Sequence, residues 1–490
     1  MSPRQPLLVA LLSLAPLSAQ GAAAPLELGV RRELFVDRAL IDDWGGVRLE
    51  LARPRDEGPV FRFDRLWEGP FSGYTTVVAD GGRLLLYYRG LPTAGGDGTD
   101  LERTCVAVSE DGRRFARPEL STYEVEGADT NNVVLAGAAP VSHNFSPFLD
   151  AHAAADSPHR FKALGGNEKS GLIAYTSPDG LRWRRLQEQP VLTGAEFDSQ
   201  NVAFWSEHEQ RYVCYLRTWT GEGYAGIRTV SRATSEDFVT WTEPVEMEFT
   251  DGQGAQDHLY TNQTHPYMRA PHLYVAIAAR FMPGRQVLSA ADAERLGVNP
   301  RYFRDCSDAV LMTSRGGARY DRTFREAFLR PGVGLQNWVS RSNYPALNVV
   351  RTGPAEMSIY VNQNYAQPTA ELRRYSLRLD GFASLRAGFD GGRATTRPLR
   401  FGGDRLLLNF ATSAAGSVRV AICDAAGEEL EGFGQGDCVP LIGNEIERGV
   451  TWRREGGPSG DLSALRGRTV RLRFALVDAD LYAMRFAPAR

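Results

Sequence analysis

Between Gly73 and Tyr365 the chain repeats one arrangement of apolar and polar positions. Each copy opens with a short apolar run: Gly73 to Val78, Asn144 to Leu149, Asn201 to Trp205, Tyr260 to Tyr267 and Tyr344 to Val350. A second run follows, rich in Tyr and β-branched residues: Arg83 to Gly90, Arg160 to Gly166, Arg211 to Thr218, His272 to Arg280 and Met357 to Tyr365. Runs of this composition, bounded by Gly, Asn and Asp, predict buried strands. Each copy then reaches a turn signal, beginning at Ser109, Ser177, Ser235, Ser314 and Arg378, of which Ser177-Pro178-Asp179-Gly180 is the most complete. Four of the five turn signals carry an aromatic six positions after their start: Phe115, Trp183, Trp241 and Tyr320.

Asp-Gly offers a carboxylate to nearby backbone N–H groups and a residue free to take positive φ, and the aromatic packs back onto the sheet as the next strand starts. The signals lie 58–79 residues apart. That period is too long for a solenoid and suits four-stranded blades. The chain is therefore expected to be all-β, a five-bladed propeller over residues 33–395. After Gly391-Gly392 the strands become short and alternating, which predicts a β-sandwich over residues 396–490. One helix is expected, in the long fourth interval, where Ser289 and Asp292 form a capping box ahead of Ala293 to Leu296.

Composition adds limits. The chain is 43% hydrophobic and 23% charged with a formal charge of −3, ordinary globular material without the basic surface a nucleic acid needs. Arg4, the apolar stretch Leu7 to Leu17 and small residues up to Ala24 have the form of a secretory signal over residues 1–24, too short to span a bilayer. A secreted or periplasmic protein without a membrane span follows. Five cysteines do not make a disulfide scaffold, although Cys423 and Cys438 flank one expected hairpin and could pair. No Cys/His spacing suggests zinc, and neither metal nor other cofactor is expected. The oligomeric state is left open.

In a propeller the innermost strands line a central funnel, so polar residues where they begin are the first candidates. These are Glu68, His143, Asn144, Asp198, Asn201, Asp257, Tyr260, Asn262 and Arg341, with Arg89, Arg217 and Arg280 closing second strands and Glu371 opening a later one. Glycosidic cleavage needs one protonated acid and one ionised carboxylate, and Asp198, Asp257 and Glu68 are the expected catalytic groups. The arginines, with His143, Asn144, Asn201, Tyr260, Asn262 and Glu371, are the expected contacts to a carbohydrate substrate.

The five-unit organisation, the segments His143 to Asp150 and Phe197 to Trp205, and the C-terminal sandwich together resemble the five-bladed-propeller glycoside hydrolases of families 32, 43, 62 and 68, which include invertases, levansucrases and arabinanases. The resemblance implies a glycosidase with its nucleophile or base on the first blade, an orienting Asp on the second and an acid on the third. The matching positions here hold Glu68, then His143 and Asn144, then Asp198. The Trp-x-Asn-Asp-Pro-x-Gly, Arg-Asp-Pro and Glu-Cys strings of family 32 do not occur. The turn repeat and the arginines also resemble sialidases, six-bladed hydrolases of an anionic sugar, with Arg89, Arg217, Arg280 and Arg341 as a carboxylate clamp beside Tyr260 or Tyr344. A non-catalytic carbohydrate-binding propeller is the third alternative.

Overall fold

The structure, a computed structural model, describes residues 24–250 and 256–489. The expected signal over residues 1–24 thus falls almost wholly outside the described residues. Five blades surround one axis. The first four are built from strands Gly73–Asp80, Arg83–Gly90, Arg103–Ser109 and Val133–Leu135; Ser146–Leu149, Phe161–Asn167, Gly171–Ser177 and Arg184–Arg185; Val202–Ser206, Arg211–Trp219, Arg228–Ser235 and Val245–Glu246; and His258–Thr261 with Thr264–Tyr267, Ala270–Met282 and Cys306–Ser314. The fifth uses Tyr344–Pro345 and Val350–Arg351, Glu356–Gln363 and Glu371–Arg378, and takes its outer strand, Arg55–Arg62, from before the first blade. That exchange closes the ring without a free inner edge.

The turn signals fall at the ends of the third strands. Ser177 Oγ accepts from Gly180 N at 2.9 Å, and Asp179 Oδ1 accepts from Leu181 N and Arg182 N, both at 2.9 Å. The same bonds recur at Ser109/Asp111 and Ser235/Asp237. Two of these turns also join blades: Tyr87 of the first blade donates to Gly180 O at 2.8 Å, and Tyr360 of the fifth donates to Gly112 O at 2.6 Å.

The last two copies serve a different partner. Arg315 reaches Glu33 at 2.6 Å and Asp37 at 3.0 Å. Buried Asp380 accepts from Tyr267 at 2.8 Å, Arg32 at 3.2 Å and Asn409 at 3.0 Å. Both copies thereby anchor the propeller to a second body. Here an eight-stranded sheet is centred on the long hairpin Arg405–Cys423 and Arg471–Ala487, which is bulged between Thr412 and Ser417. Phe410, Val420, Phe474 and Phe486, from both sides of that bulge, share one core with Trp452 and Phe35.

The division between the two bodies differs from the expected 33–395 and 396–490. Strands Arg32–Leu34, Ile41–Gly45 and Val47–Leu51, with Ala383–Ala387 and Gly392–Thr396, pair into the C-terminal sheet, and blade strands run only from Arg55 to Arg378. Short strands joined across most of the chain leave no local signal of their partner. The helix Ala290–Leu296 forms as expected, with Ser289 Oγ accepting from Asp292 N at 3.1 Å. All five cysteines are buried free thiols, Cys423 and Cys438 included; Cys438 Sγ accepts from Val420 N at 3.3 Å instead of bonding a second sulfur.

A glutamine plug divides the axis. Gln263 Nε2 donates to Gln200 Oε1 at 2.7 Å and Pro345 O at 2.8 Å, and Gln200 Nε2 donates to Thr76 Oγ1 at 3.1 Å. Beyond it, at the far end of the inner strands, lies a cavity of about 340 Å³ among Val77, Phe148, Phe204, Pro266, Leu347 and neighbouring residues. The inner strands begin at the opposite, polar end.

Candidate active site

The polar end gathers charged groups around a cluster of buried tyrosine rings, whereas the larger cavity lies at the apolar end. The polar cleft beside Arg89, Arg341, Tyr344 and Tyr365 is narrow, about 10 Å³.

Tyr260 stands at the centre. The guanidinium carbons of Arg217, Arg228 and Arg341 lie 4.7, 5.2 and 5.8 Å from its ring centroid, and Tyr344 packs on it at 5.1 Å. Burial opposes ionisation of the Tyr260 phenol, but the three arginines outweigh it and lower it to about 8. Tyr74, raised well above the usual phenol range by burial and by the neighbouring Tyr260, stays neutral.

The arginines differ in their counter-charges. Arg217 is fully buried and salt-bridged to Asp198. Arg341 lies 3.3 Å from the Tyr365 hydroxyl and 3.7 Å from Asp97. Arg228 stacks on Trp219 at 4.3 Å and Phe281 at 5.1 Å and meets His258 Nδ1 at 3.2 Å, with no carboxylate partner among the described residues. Burial and the adjacent Arg217 lower its affinity for its proton. His258 is lowered as well, by burial and then by Arg228, so its neutral ring can accept from the guanidinium. The Tyr344 hydroxyl and the Trp219 indole N–H, beside these cations, are buried without a hydrogen-bond partner among the described residues.

On the first and second blades Arg89 stacks on Tyr74 at 4.9 Å and donates to Phe71 O at 2.8 Å. Its Nη1 lies 3.3 Å from both Asp97 and Glu102 and 3.1 Å from His143 Nδ1. Ligand atoms of Asp97, Glu102 and His143 lie within 4.8 Å of one another, but the Arg89 guanidinium already supplies the cation among them.

The backbone is strained in the same region. Tyr74, Phe197, Arg341 and Asn343 hold φ of +49°, +49°, +61° and +65°, a conformation that costs about 1–3 kcal/mol for a non-glycine residue. Phe197 immediately precedes Asp198. The loop is held by Asn144 Nδ2, which donates to Phe197 O at 2.6 Å and Ser199 O at 2.7 Å, and by Asn201 Nδ2, which donates to Ser199 O at 2.8 Å. Asn144 and Asn201 therefore shape the loop. Asn262, likewise buried, accepts from Thr264 N at 2.9 Å.

Of the expected residues, Asp198, Arg89, His143, Arg217, Tyr260 and Arg341 meet at the polar end. The other acids do not. Glu68 is fully buried within the first blade, held by Tyr88 at 2.5 Å and Arg117 at 2.7 Å. Asp257 bonds Arg322 at 2.7 Å, and Arg280 chelates Asp308 at 2.9 and 2.7 Å while lying 4.0 Å from Asp257. Strand alternation explains the displacement: Phe281 packs on Tyr260, which turns the adjacent Arg280, and Asp257 with it, to the other face of the blade. Glu371 pairs with Arg373 at 3.2 Å and Arg62 at 3.7 Å, beside the outer strand of the fifth blade. Arg228, Asp97 and Glu102 were not anticipated. Arg228 opens a third strand, and reading only the first two strands of each unit passes over it.

The chain matches no protein-family model and no curated protein. Among solved structures it is similar to an N-acetylgalactosamine deacetylase from F. plautii in complex with blood group B trisaccharide, at 14% identity over 68% of this chain and 96% of that one, TM-score 0.43. It is also similar to a beta-1,2-mannobiose phosphorylase from Listeria innocua in complex with beta-1,2-mannobiose, at 10% identity over 67% and 97%, TM-score 0.42. A third is a GH130 glycoside hydrolase structure described as targeting beta-1,2 mannosidic linkages in Candida mannan, at 15% identity over 69% and 96%, TM-score 0.35.

Proposed function

We infer that the polar end of the propeller binds an anionic saccharide and cleaves a glycosidic bond of it. The observation that carries this reading is Arg228, a half-buried guanidinium with no carboxylate partner among the described residues, set between Arg217 and Arg341 around Tyr260. Like charges gathered away from water are costly, and a bound carboxylate or sulfate offsets that cost through charge-assisted hydrogen bonds. Tyr344 and Trp219 supply further donors in need of an acceptor. The partly exposed Trp219 ring gives a pyranose face an apolar surface.

Asp198 is the carboxylate placed to act on the anomeric carbon or on water. It is paired with Arg217, a cation suited to hold the carboxylate that a nucleophile or base must present. Clustered guanidiniums bind an anion far better than a neutral sugar, which favours this reading over a glycosidase built on Asp198, Asp257 and Glu68 together. The site of action lies outside the cytoplasm on this proposal, and a mature N-terminus between residues 19 and 25 in protein recovered from the native host would support it.

The test is hydrolysis of matched oligosaccharides, one set bearing uronate or sulfate groups and the other their neutral counterparts. Release of reducing sugar from an anionic member is expected. Cleavage of neutral members alone, or of none, would overturn the reading.

A further inference from the structure

Cleaving a glycosidic bond takes a proton for the leaving oxygen as well as a carboxylate, and Asp198, assigned the part of nucleophile or base beside Arg217, cannot also be the donor. The other carboxyl groups of the polar end do not fill the gap. Asp97, which burial would raise, is held below the usual carboxylate range by Arg89 and Arg341. Glu102 is fully buried beneath Arg89 and His143.

We propose that His143, as an imidazolium, donates the proton to the leaving oxygen, and that Glu102 is its positioning residue. The proposal rests on the reading of the polar end as a glycosidase site.

His143 Nδ1 lies 2.7 Å from Glu102 Oε1 and 3.1 Å from Arg89 Nη1. A carboxylate only accepts, so the shorter contact places hydrogen on Nδ1 and leaves Nε2 as the atom that exchanges a proton. Nε2 has no hydrogen-bond partner among the described residues, and the ring packs edge-on against Tyr74 at 5.3 Å, at the polar end. Gly98 N donates to Glu102 Oε2 at 2.9 Å, which fixes the carboxylate that fixes the ring. The charged groups facing His143 are Arg89, Asp97 and Glu102. Asn144, the next residue, holds the carbonyls on both sides of Asp198 and so ties the backbone that carries His143 to the backbone that carries Asp198.

In the step, Nε2–H gives its proton to the glycosidic oxygen as the bond to the anomeric carbon breaks and its electron pair stays on oxygen. Water adds to that carbon and loses a proton to Asp198. Exchange with solvent then returns Asp198 to carboxylate and His143 to imidazolium.

The test compares two substrates with the same anionic sugar, one with a saccharide leaving group and one with dinitrophenolate, which departs without a proton. His143→Gln should lower kcat/KM about 10²–10⁴-fold on the saccharide and less than about tenfold on the dinitrophenyl glycoside, with an unchanged circular dichroism spectrum. Equal losses on both substrates, or none, would overturn the role of His143 while leaving the glycosidase reading in place. A wild-type protein that cleaves neither substrate would overturn both. Glu102→Gln, which loosens the ring, should lower kcat/KM on the saccharide more than on the dinitrophenyl glycoside, the same split as His143→Gln at smaller size. Equal losses on the two substrates would contradict its positioning role.

Discussion

Individual residues at the polar end have separable duties. Asp198→Asn keeps shape and hydrogen bonding while removing the charge, so turnover on any cleaved substrate should fall about 10²–10⁴-fold with near-ultraviolet circular dichroism retained. Near-normal turnover would mean that Asp198 serves only to neutralise Arg217. Tyr260 offers a test that needs no substrate. Its phenol is lowered to about 8, opposed by burial and driven by Arg341, Arg217 and Arg228, whereas burial raises Tyr74 and Tyr344. Absorbance at alkaline pH should therefore show one phenolate step near pH 8, lost in Tyr260→Phe; an unaltered step in that variant would place the ionisation elsewhere. The sequence marked Asp198, Arg217 and Tyr260 because each sits where an inner or second strand meets the axis. It could not separate Asp257 and Arg280 from them, since one position along a strand reverses the face and the apolar run has no polar alternation to fix which face is which. Glu68 misled for another reason: its partner Arg117 is distant in sequence, and an acid buried by a remote arginine reads like one facing a funnel.

Among the elements, the turn after each third strand was the most legible feature, because its bonds are local: Ser to the residue three on, Asp to the two amides beyond. What the turn touches was not legible. The Gly180 carbonyl takes the Tyr87 hydroxyl of the preceding blade, and a Cβ added at Gly180 would lie 2.4 Å from that oxygen, at φ +77°. Gly180→Ala is expected to cost about 1–3 kcal/mol. Gly137→Ala, at φ +62° with nothing within 4 Å of the added carbon, carries the backbone cost alone and should lower the melting temperature less. Equal melting temperatures for the two variants would mean that the contact between blades contributes nothing.

At the scale of the whole molecule, the fourth and fifth turn copies couple the propeller to the C-terminal sheet through ion pairs. Glu33 shows the consequence for pH. Burial pushes its carboxyl up, but Arg315, His272 and Arg31 outweigh burial and hold it well below the usual range. A carboxyl lowered on folding stabilises at pH above its unfolded value, roughly 4.3, and that stabilisation is lost as pH falls toward the folded value. The melting temperature should drop steeply below about pH 4 in the wild type and less steeply in Glu33→Gln; parallel profiles would exclude Glu33 as a source of the acid sensitivity. The five-fold architecture could be read in advance because the repeat announces it, whereas the share of the N-terminal strands in the second body could not, since their partners lie at the other end of the chain. Within this frame the central claim is that the three guanidiniums around Tyr260 take the anionic group of a sugar. Calorimetry with a uronate-terminated oligosaccharide and its methyl ester, on the wild type and Arg228→Leu, tests it most directly. The wild type should prefer the free acid by about tenfold or more, and Arg228→Leu should lose most of that preference while still binding the ester. Equal affinity of the wild type for acid and ester, or a preference untouched by the substitution, would contradict it.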